Sequence, residues 1–377
     1  MNRTEFMKKY KLSDVDTRNE YLAKWNAYYR SMRPIVSKQL ESTVCQSGKT
    51  AQIWIQSDAC QYSKVGACTC CDYFQGSKQV NQVQAFKKAL ERIEADSDTI
   101  VLNTCGSVLD ESELALRDLL QIINCVKETE VNILVLETHI CTINEQVLSC
   151  LRNNKGSLDI YFEIGVETLN EDINRFILNK LPFSRNVKKI VELIHEYGFK
   201  ITANVMTGYP FVDREFQVYD SQKTIQTLLS YGVDFIVLFP INIKKYTLMY
   251  AFYEKGLYMP IDGRILIDIL YKFQAEELEH INVAWYGEPR IDIPGYSKND
   301  MITPFYCEEC YKTMMSLWLT YNNEEGTKRQ DLLKQMKSIE CGCNNHSKDM
   351  AVQKEIDYLK LDRAYQNFCE SFEGNKG

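Results

Sequence analysis

Four cysteines fall within twelve residues, Cys60, Cys68, Cys70 and Cys71, in the segment SDACQYSKVGACTCCDYF. Three of them have the spacing CxxxxxxxCxxC. Three thiolates converging from one loop can hold three irons of a [4Fe–4S] cluster and leave the fourth iron without a protein ligand. That open position suits a small molecule that must itself coordinate iron. Gly66 would let the loop turn back, and Tyr73 or Phe74 would cover the cluster. Cys70 reads as a bystander, because adjacent residues point in different directions and it cannot easily face the same cluster as Cys71. Zinc is the competing reading, since four thiolates can close a tetrahedral site, although structural zinc loops usually pair two separated CxxC knuckles. A group of free thiols is the third.

A second group lies near the end of the chain. CEECY carries Cys307 and Cys310, and ECGC carries Cys341 and Cys343. CxxC followed by CxC across a helical hairpin can close a tetrahedral site with no open position, so this group would be structural, holding zinc or an auxiliary Fe–S cluster. The chain has 14 cysteines, and its first residues show no apolar stretch after their charges. Clustered cysteines in a reducing compartment point to metal or redox roles, so a cytoplasmic location is expected. Cys125, Cys141 and Cys150, in apolar surroundings, read as small core residues. With 44 basic and 51 acidic residues the formal net charge is -7, which gives no broad attraction to nucleic acid or to an anionic membrane. No apolar run reaches the length of a spanning helix.

The elements that would position these residues alternate along the chain. Strands are expected at Ile53 to Ser57, TIVLNT, NILVLE, LDIYFEIG, KITANVM and DFIVLF. Helices are expected over 81–94, 111–125, 143–152, 170–179, 185–196 and 217–230. Short apolar strands separated by amphipathic helices predict a parallel sheet in an α/β fold, with the strand C-termini on one edge. Six units predict a partial (β/α)6 TIM-like barrel over 46–265. A helical N-terminal extension would occupy 1–45, and a cysteine-containing helical tail 266–377. A helix over 264–280 and a last strand in INVAWYG would begin that tail. Gly106, Gly165, Gly208 and Pro210 fall just past strand ends, where ligands collect in such folds.

From the cysteine loop onward the chain resembles the radical SAM superfamily. Its long first gap resembles that of the archaeosine-forming lysine-lyase family, through Cys60, Tyr62, Gly66, Cys68, Cys71 and Tyr73. The likeness is more distant to elongator-type and coproporphyrinogen-oxidase-like enzymes. It continues through LNTCGSVLDESEL, with Asn103, Gly106, Ser107, Leu109 and Asp110, then VLETHICTINEQ, FEIGVETLNEDINRFILNKLPF, ITANVMTGYPFVDREFQVYDS and FPINIKKYTLMYAFYEKGLYMP. These cover about residues 50–265 in order. The resemblance implies that Cys60, Cys68 and Cys71 ligate the cluster and that the Thr104–Gly106–Ser107 turn lies beside the methionine amine of S-adenosylmethionine (SAM). Glu137 and Glu167 would make polar contacts to that amine or to the ribose, with Glu163 competing for the second role. Lys180 or Arg185 would pair with the SAM carboxylate, and Asn204 and Met206 would line the adenine side. Asn242 and Tyr246 would meet substrate, and His139 is a further candidate for substrate contact at the same edge.

The resemblance further implies a biosynthetic enzyme that reductively cleaves SAM and abstracts hydrogen from a small or medium-sized substrate with an amino-acid moiety, using a flavodoxin- or ferredoxin-type donor. Transfer of a 3-amino-3-carboxypropyl group from SAM, or modification of a tRNA base, are the alternative outcomes, so that lyase and transferase chemistry both stay open.

Overall fold

The computed structural model describes residues 1–12, 19–34, 41–73, 76, 80–104, 106–180, 186–284, 286–287, 301–342 and 356–373. Eight strands form its main sheet: β1 (Ser42–Ser47), β2 (Thr50–Ile55), β3 (Thr99–Asn103), β4 (Ile133–Thr138), β5 (Asp159–Glu167), β6 (Lys200–Thr207), β7 (Phe235–Pro240) and, after the short β8 (Ile243–Lys244), β9 (Ile281–Val283). Their order in the sheet is β1-β2-β3-β4-β5-β6-β7-β9, so spatial order follows chain order. From β2 onward all neighbours are parallel. Right-handed crossovers in unbroken order lay the crossover helices on one face and curl the sheet into a partial barrel. The six expected units are present. Two edges extend them: the antiparallel hairpin partner β1 and the late strand β9. A second sheet of two strands pairs β8 with β10 (Met301–Ile302).

Period-two patterning decides what faces inward. In β5 Ile160, Phe162, Ile164 and Val166 are buried against the outer helices, and Tyr161, Glu163, Gly165 and Glu167 alternate onto the other face. The outer layer contains helices Gln82–Leu90, Leu116–Lys127, Glu145–Asn154, Val187–Glu196 and Arg214–Ser230. Its apolar cluster extends to Ile265–Leu270 and to the tail helices Tyr311–Asn323 and Gly326–Ser338.

A second apolar cluster is separate from the first. It joins Phe6, Met7 and Tyr10 of helix Arg3–Lys9, Leu22 and Trp25 of helix Glu20–Ser31, and residues of 173–178 and 241–258. It also takes in Leu361, Tyr365 and Phe368 of the last helix, Tyr358–Glu373. Phe6, Trp25 and Tyr365 meet edge-on or tilted. The final helix therefore packs with the N-terminal helices, whereas the helices Tyr311–Asn323 and Gly326–Ser338 pack on the barrel.

Four elements differ from the expected pattern. The region 1–45 is not helical throughout, because β1 begins at Ser42. The helix expected over 111–125 starts only at Leu116, since Glu113 is drawn back beneath the preceding loop. The expected 170–179 helix is one α turn, Glu171–Ile173, followed by a wide π turn, Asn174–Leu178, closed by Asn179 at φ 54°. The 264–280 helix breaks into Ile265–Leu270 and Ala275–Leu278. No helix among the described residues is long and apolar enough to cross a membrane.

Candidate functional site

The cysteine loop leaves the end of β2 and sits at the C-terminal edge of the sheet. Its polar backbone is held from several sides. Thr69 donates its N–H to Leu178 O (2.9 Å) and its hydroxyl to Ile177 O (2.6 Å), and Cys68 N–H bonds Asn179 O (3.4 Å). Some of these acceptors are carbonyls that the π turn leaves outside a regular α ladder. On another side Lys244 of β8 pairs with Asp72 at 3.0 Å and lies 4.9 Å from the centre of the Tyr73 ring, which itself meets Trp54.

The thiols of Cys60, Cys68 and Cys71, each partly buried, come from positions up to eleven residues apart in the loop. They are nonetheless electrostatic neighbours. Burial, then Cys71 and Cys68, raise the Cys60 thiol. Burial pushes the Cys68 thiol up to about 12 and also raises Cys71. A buried thiol triad of this kind stays protonated until a cationic group compensates its charge, so metal loading would be coupled to proton release. Three thiols on one loop are the donor set of an iron–sulfur cube with one iron left open. Cys70 packs against the second apolar cluster.

Beside the triad, Gly106 has no room for a side chain: a Cβ there would stand 2.3 Å from Glu113 Oε1 and 2.8 Å from Cys60 Cβ. Glu113 accepts from Ser57 Oγ, Thr104 Oγ1 and Ser107 N, each at 3.2 Å. Burial raises its carboxyl to about 7. Ser107 Oγ is shared with Thr138 (2.7 Å) and Thr142 (3.0 Å) and accepts from His139 N. This joins the turns after β3 and β4. His139 stacks on Tyr62 at 4.4 Å and accepts from Cys141 N through Nδ1, and burial lowers it to about 3, so the ring is neutral.

Inside the barrel, β4 and β5 place Glu137 directly opposite Glu163. Burial first, then Glu163, raise the Glu137 carboxyl well above the usual range. Glu163 Oε1 accepts from Asn204 Nδ2 (2.9 Å). At the end of β5 a bulge sets Glu167 at φ 64°. Lys180 donates to Glu167 Oε1 (2.6 Å) and to Gly165 O (2.7 Å). Burial alone would lower the Lys180 ammonium, but Glu167, with Cys68 and Cys70, more than offsets it and raises it above its ordinary value. Several buried polar atoms at this end have no protein partner: both Asn103 side-chain atoms, Glu167 Oε2, Asn204 Oδ1 and Asn242 Oδ1. A buried polar group is normally paired, so these atoms mark where a ligand's hydrogen bonds would go. Among the described residues, five of the six non-glycine residues at positive φ, Cys68, Glu167, Asn179, Phe211 and Tyr246, lie in loops or strand ends on this edge, where strain is characteristic of functional sites.

The structure thus gathers Cys60, Cys68, Cys71, Thr104, Gly106, Ser107, Glu137, Glu167, Lys180, Asn204 and His139 around one end of the barrel. Met206, a β6 residue inside the second apolar cluster, Asn242 and Tyr246 approach from the following segments. Arg185 and Phe74 lie outside the described residues. Asn103, Glu113 and Lys244 belong to the same site and were missing from the residues singled out as contacts. Asn103 carried a signal, as it lies in the LNTCGSVLD segment.

The second cysteine group is tighter. The sulfurs of Cys307, Cys310 and Cys341 all lie within 4.8 Å of one another, with Cys307 and Cys310 at 3.6 Å. Tetrahedral thiolates at a Zn–S length of about 2.3 Å stand roughly 3.8 Å apart, so the group fits one ion. Cys343 lies outside the described residues. Arg264 donates to Cys341 Sγ (3.5 Å) and to Ile339 O (3.1 Å), tying the group to the start of helix Ile265–Leu270.

No family model matches the chain. Relatives do. The archaeosine synthase subunit beta of Methanosarcina acetivorans is 27% identical over 61% of this chain and 68% of its own length. That of Thermococcus kodakarensis is 25% identical over 56% and 68%. The chain is thus similar in sequence to two archaeosine synthase beta subunits. An uncharacterized protein of Methanocaldococcus jannaschii is 25% identical over 79% of this chain and 80% of its own length. Among solved structures, a queuine lyase from Clostridium spiroforme, bound to SAM and queuine, is 20% identical, with 54% of this chain and 81% of that one covered at a TM-score of 0.41. An archaeal Elp3 of Methanocaldococcus infernus is 17% identical, with 63% and 59% covered at 0.44.

Proposed function

We propose that the chain is a radical SAM enzyme that holds a [4Fe–4S] cluster on Cys60, Cys68 and Cys71 and abstracts hydrogen from a small or medium-sized substrate carrying an amino-acid moiety. The observation that carries this reading is the thiol triad on one loop, its thiols raised by burial and by one another, set at the C-terminal edge beside unpartnered polar atoms. The sequence kinship with archaeosine synthase beta subunits supports it.

When bound, the cluster supplies an electron that breaks a C–S bond of SAM; flavodoxin or ferredoxin would be the donor class. This chain's residues do the rest. The turn at Thr104, Gly106 and Ser107 offers backbone groups to the methionine amine, with Gly106 letting the ligand and loop approach. Glu137, Glu167 and Asn204 offer acceptors to the amine and ribose, and Asn103 offers both a donor and an acceptor. Lys180 keeps a positive charge beside Glu167, where it can orient that carboxylate and meet the SAM carboxylate. Met206 and the apolar lining keep water and stray hydrogen donors from the reacting atoms. Asn242, Tyr246 and His139 face the space left for substrate. In the tail, Cys307, Cys310, Cys341 and Cys343 would hold a structural zinc or an auxiliary cluster.

A second reading, modification of a tRNA base, follows from the family resemblance of residues 50–265; the formal charge of -7 weighs against it. The deciding experiment incubates anaerobically reduced protein with SAM and follows nucleoside products with and without candidate substrates. 5′-Deoxyadenosine supports hydrogen abstraction. 5′-Methylthioadenosine points instead to 3-amino-3-carboxypropyl transfer, and no SAM cleavage by cluster-loaded protein sinks the proposal.

A further inference from the structure

Helix Glu20–Ser31 grips the cysteine loop directly. Arg30, 5% exposed, donates through its guanidinium to the carbonyls of Ser63, Ala67 (2.8 Å), Cys68 (2.9 Å) and Cys71 (2.8 Å). One turn earlier Asn26, fully buried, offers Nδ2 to the carbonyls of Gly66 (3.1 Å), Ala67 (3.3 Å) and Cys68 (3.4 Å), and its Oδ1 accepts from Leu248 N (3.0 Å). Gly66, at φ +78°, comes so close to this helix that a Cβ would stand 2.3 Å from Ala23 O. Arg33, just beyond, bonds Asp72 O (3.2 Å).

We infer that this helix is part of the cluster site and that Arg30, with Asn26, is a positioning residue that fixes the loop so that its three thiols face one volume. The inference rests on the cluster reading above. A loop with little regular backbone pairing must satisfy its buried carbonyls somewhere, and two side chains one turn apart do this for residues on both sides of Cys68. Only a planar fork with five donors spans four carbonyls of a folded loop; an ammonium donates from a single point. Arg30 also places a permanent positive charge whose effect reaches Cys68 and Cys71. That charge favours an anionic ligand set and the reduced, more negative cluster. Arg30 touches neither substrate nor the reacting atoms in this arrangement. Its action is through the loop.

The test reconstitutes full-length wild type, Arg30→Met and Arg30→Lys anaerobically with iron and sulfide. It then measures iron and acid-labile sulfide per chain, the electron paramagnetic resonance spectrum of the reduced cluster and its midpoint potential. Arg30→Met is expected to load less than half of the wild-type iron, and what loads should have a more negative potential. Arg30→Lys should return the potential towards wild type while loading remains reduced, a split that a purely structural role would not produce. Wild-type loading, spectrum and potential in both variants would overturn the inference. If Arg30→Met fails to fold by circular dichroism, Arg30→Lys alone decides: an unchanged spectrum and loading overturn it. A wild-type chain that takes up no cluster sinks the functional reading and the clamp together, whereas a loaded wild type with unaltered variants sinks the clamp alone.

Discussion

The molecule presents cysteines in two ways. At the barrel edge three partly buried thiols sit on one loop whose backbone is held by bonds from several other segments. In the tail three thiols crowd within 4.8 Å of one another on two neighbouring helix ends. The first arrangement supplies three thiols from one loop, the donor set of a cube with a free corner; the second closes on a single ion. The difference lies less in the cysteine spacing than in what surrounds it. Loop thiols with a cradle on several sides can be held apart, and thiols at a helix hairpin collapse together.

Four tests separate the two sites. The largest effect is expected from Cys60→Ser, Cys68→Ser or Cys71→Ser: complete loss of SAM cleavage and of loop iron, measured by product analysis and metal content, with the tail metal retained. Cys341→Ser should do the reverse. Loop iron should remain, while loss of a structural metal costs on the order of 4 kcal/mol. At about 2 cal/mol/K per residue this lowers the melting temperature by roughly 5 °C. If Cys341→Ser empties the loop too, the two sites are not independent.

Gly66→Ala should weaken loop iron binding without touching the tail. The substitution forces a side chain onto a left-handed residue, at about 1–2 kcal/mol, and into Ala23 O, and comparing iron content with zinc content reads the effect. Glu167→Gln removes a charged partner of Lys180. A charge-assisted bond is worth about 1.5–3 kcal/mol, so SAM affinity measured by calorimetry should fall about tenfold or more.

A baseline lies away from both groups. Asp220 is buried and accepts from Thr168 Oγ1 (2.7 Å), and burial raises its carboxyl to about 6. The native state therefore binds this proton more tightly than the unfolded chain. Its stabilising contribution is fully present below about pH 4 and is lost as pH rises through 6. Stability of wild type relative to Asp220→Asn should decline across that window in denaturant titrations, with the metal content of both sites unchanged. A flat difference would refute the assignment.

Much of the barrel was legible because alternation is local. TIVLN, DIYFEIGVE and KITANVMT each carry their own inward and outward faces, and the strand order follows from right-handed crossovers. The thiol spacing and the Gly106–Ser107 turn were equally visible. The π turn at Asn174–Leu178 was not, since an apolar run reads as an ordinary helix until a neighbouring loop claims its carbonyls. Glu113 was hidden for the same kind of reason: in sequence it looks like a first-turn acid, and it is drawn back by Ser57, Thr104 and Ser107.

By itself the sequence determined which residues can bind metal, which faces of the strands turn inward and the order in which the units assemble, because each depends on neighbours a few residues away. Only the tertiary structure decided that Lys180 pairs with Glu167, that Asn103 is buried with its hydrogen bonds unspent, and that a helix from the first thirty-one residues grips the cysteine loop. Those contacts span up to about 40 residues for Arg30 and over 220 for Asn26. Their partners are chosen by packing in space, which no local pattern of residue types encodes.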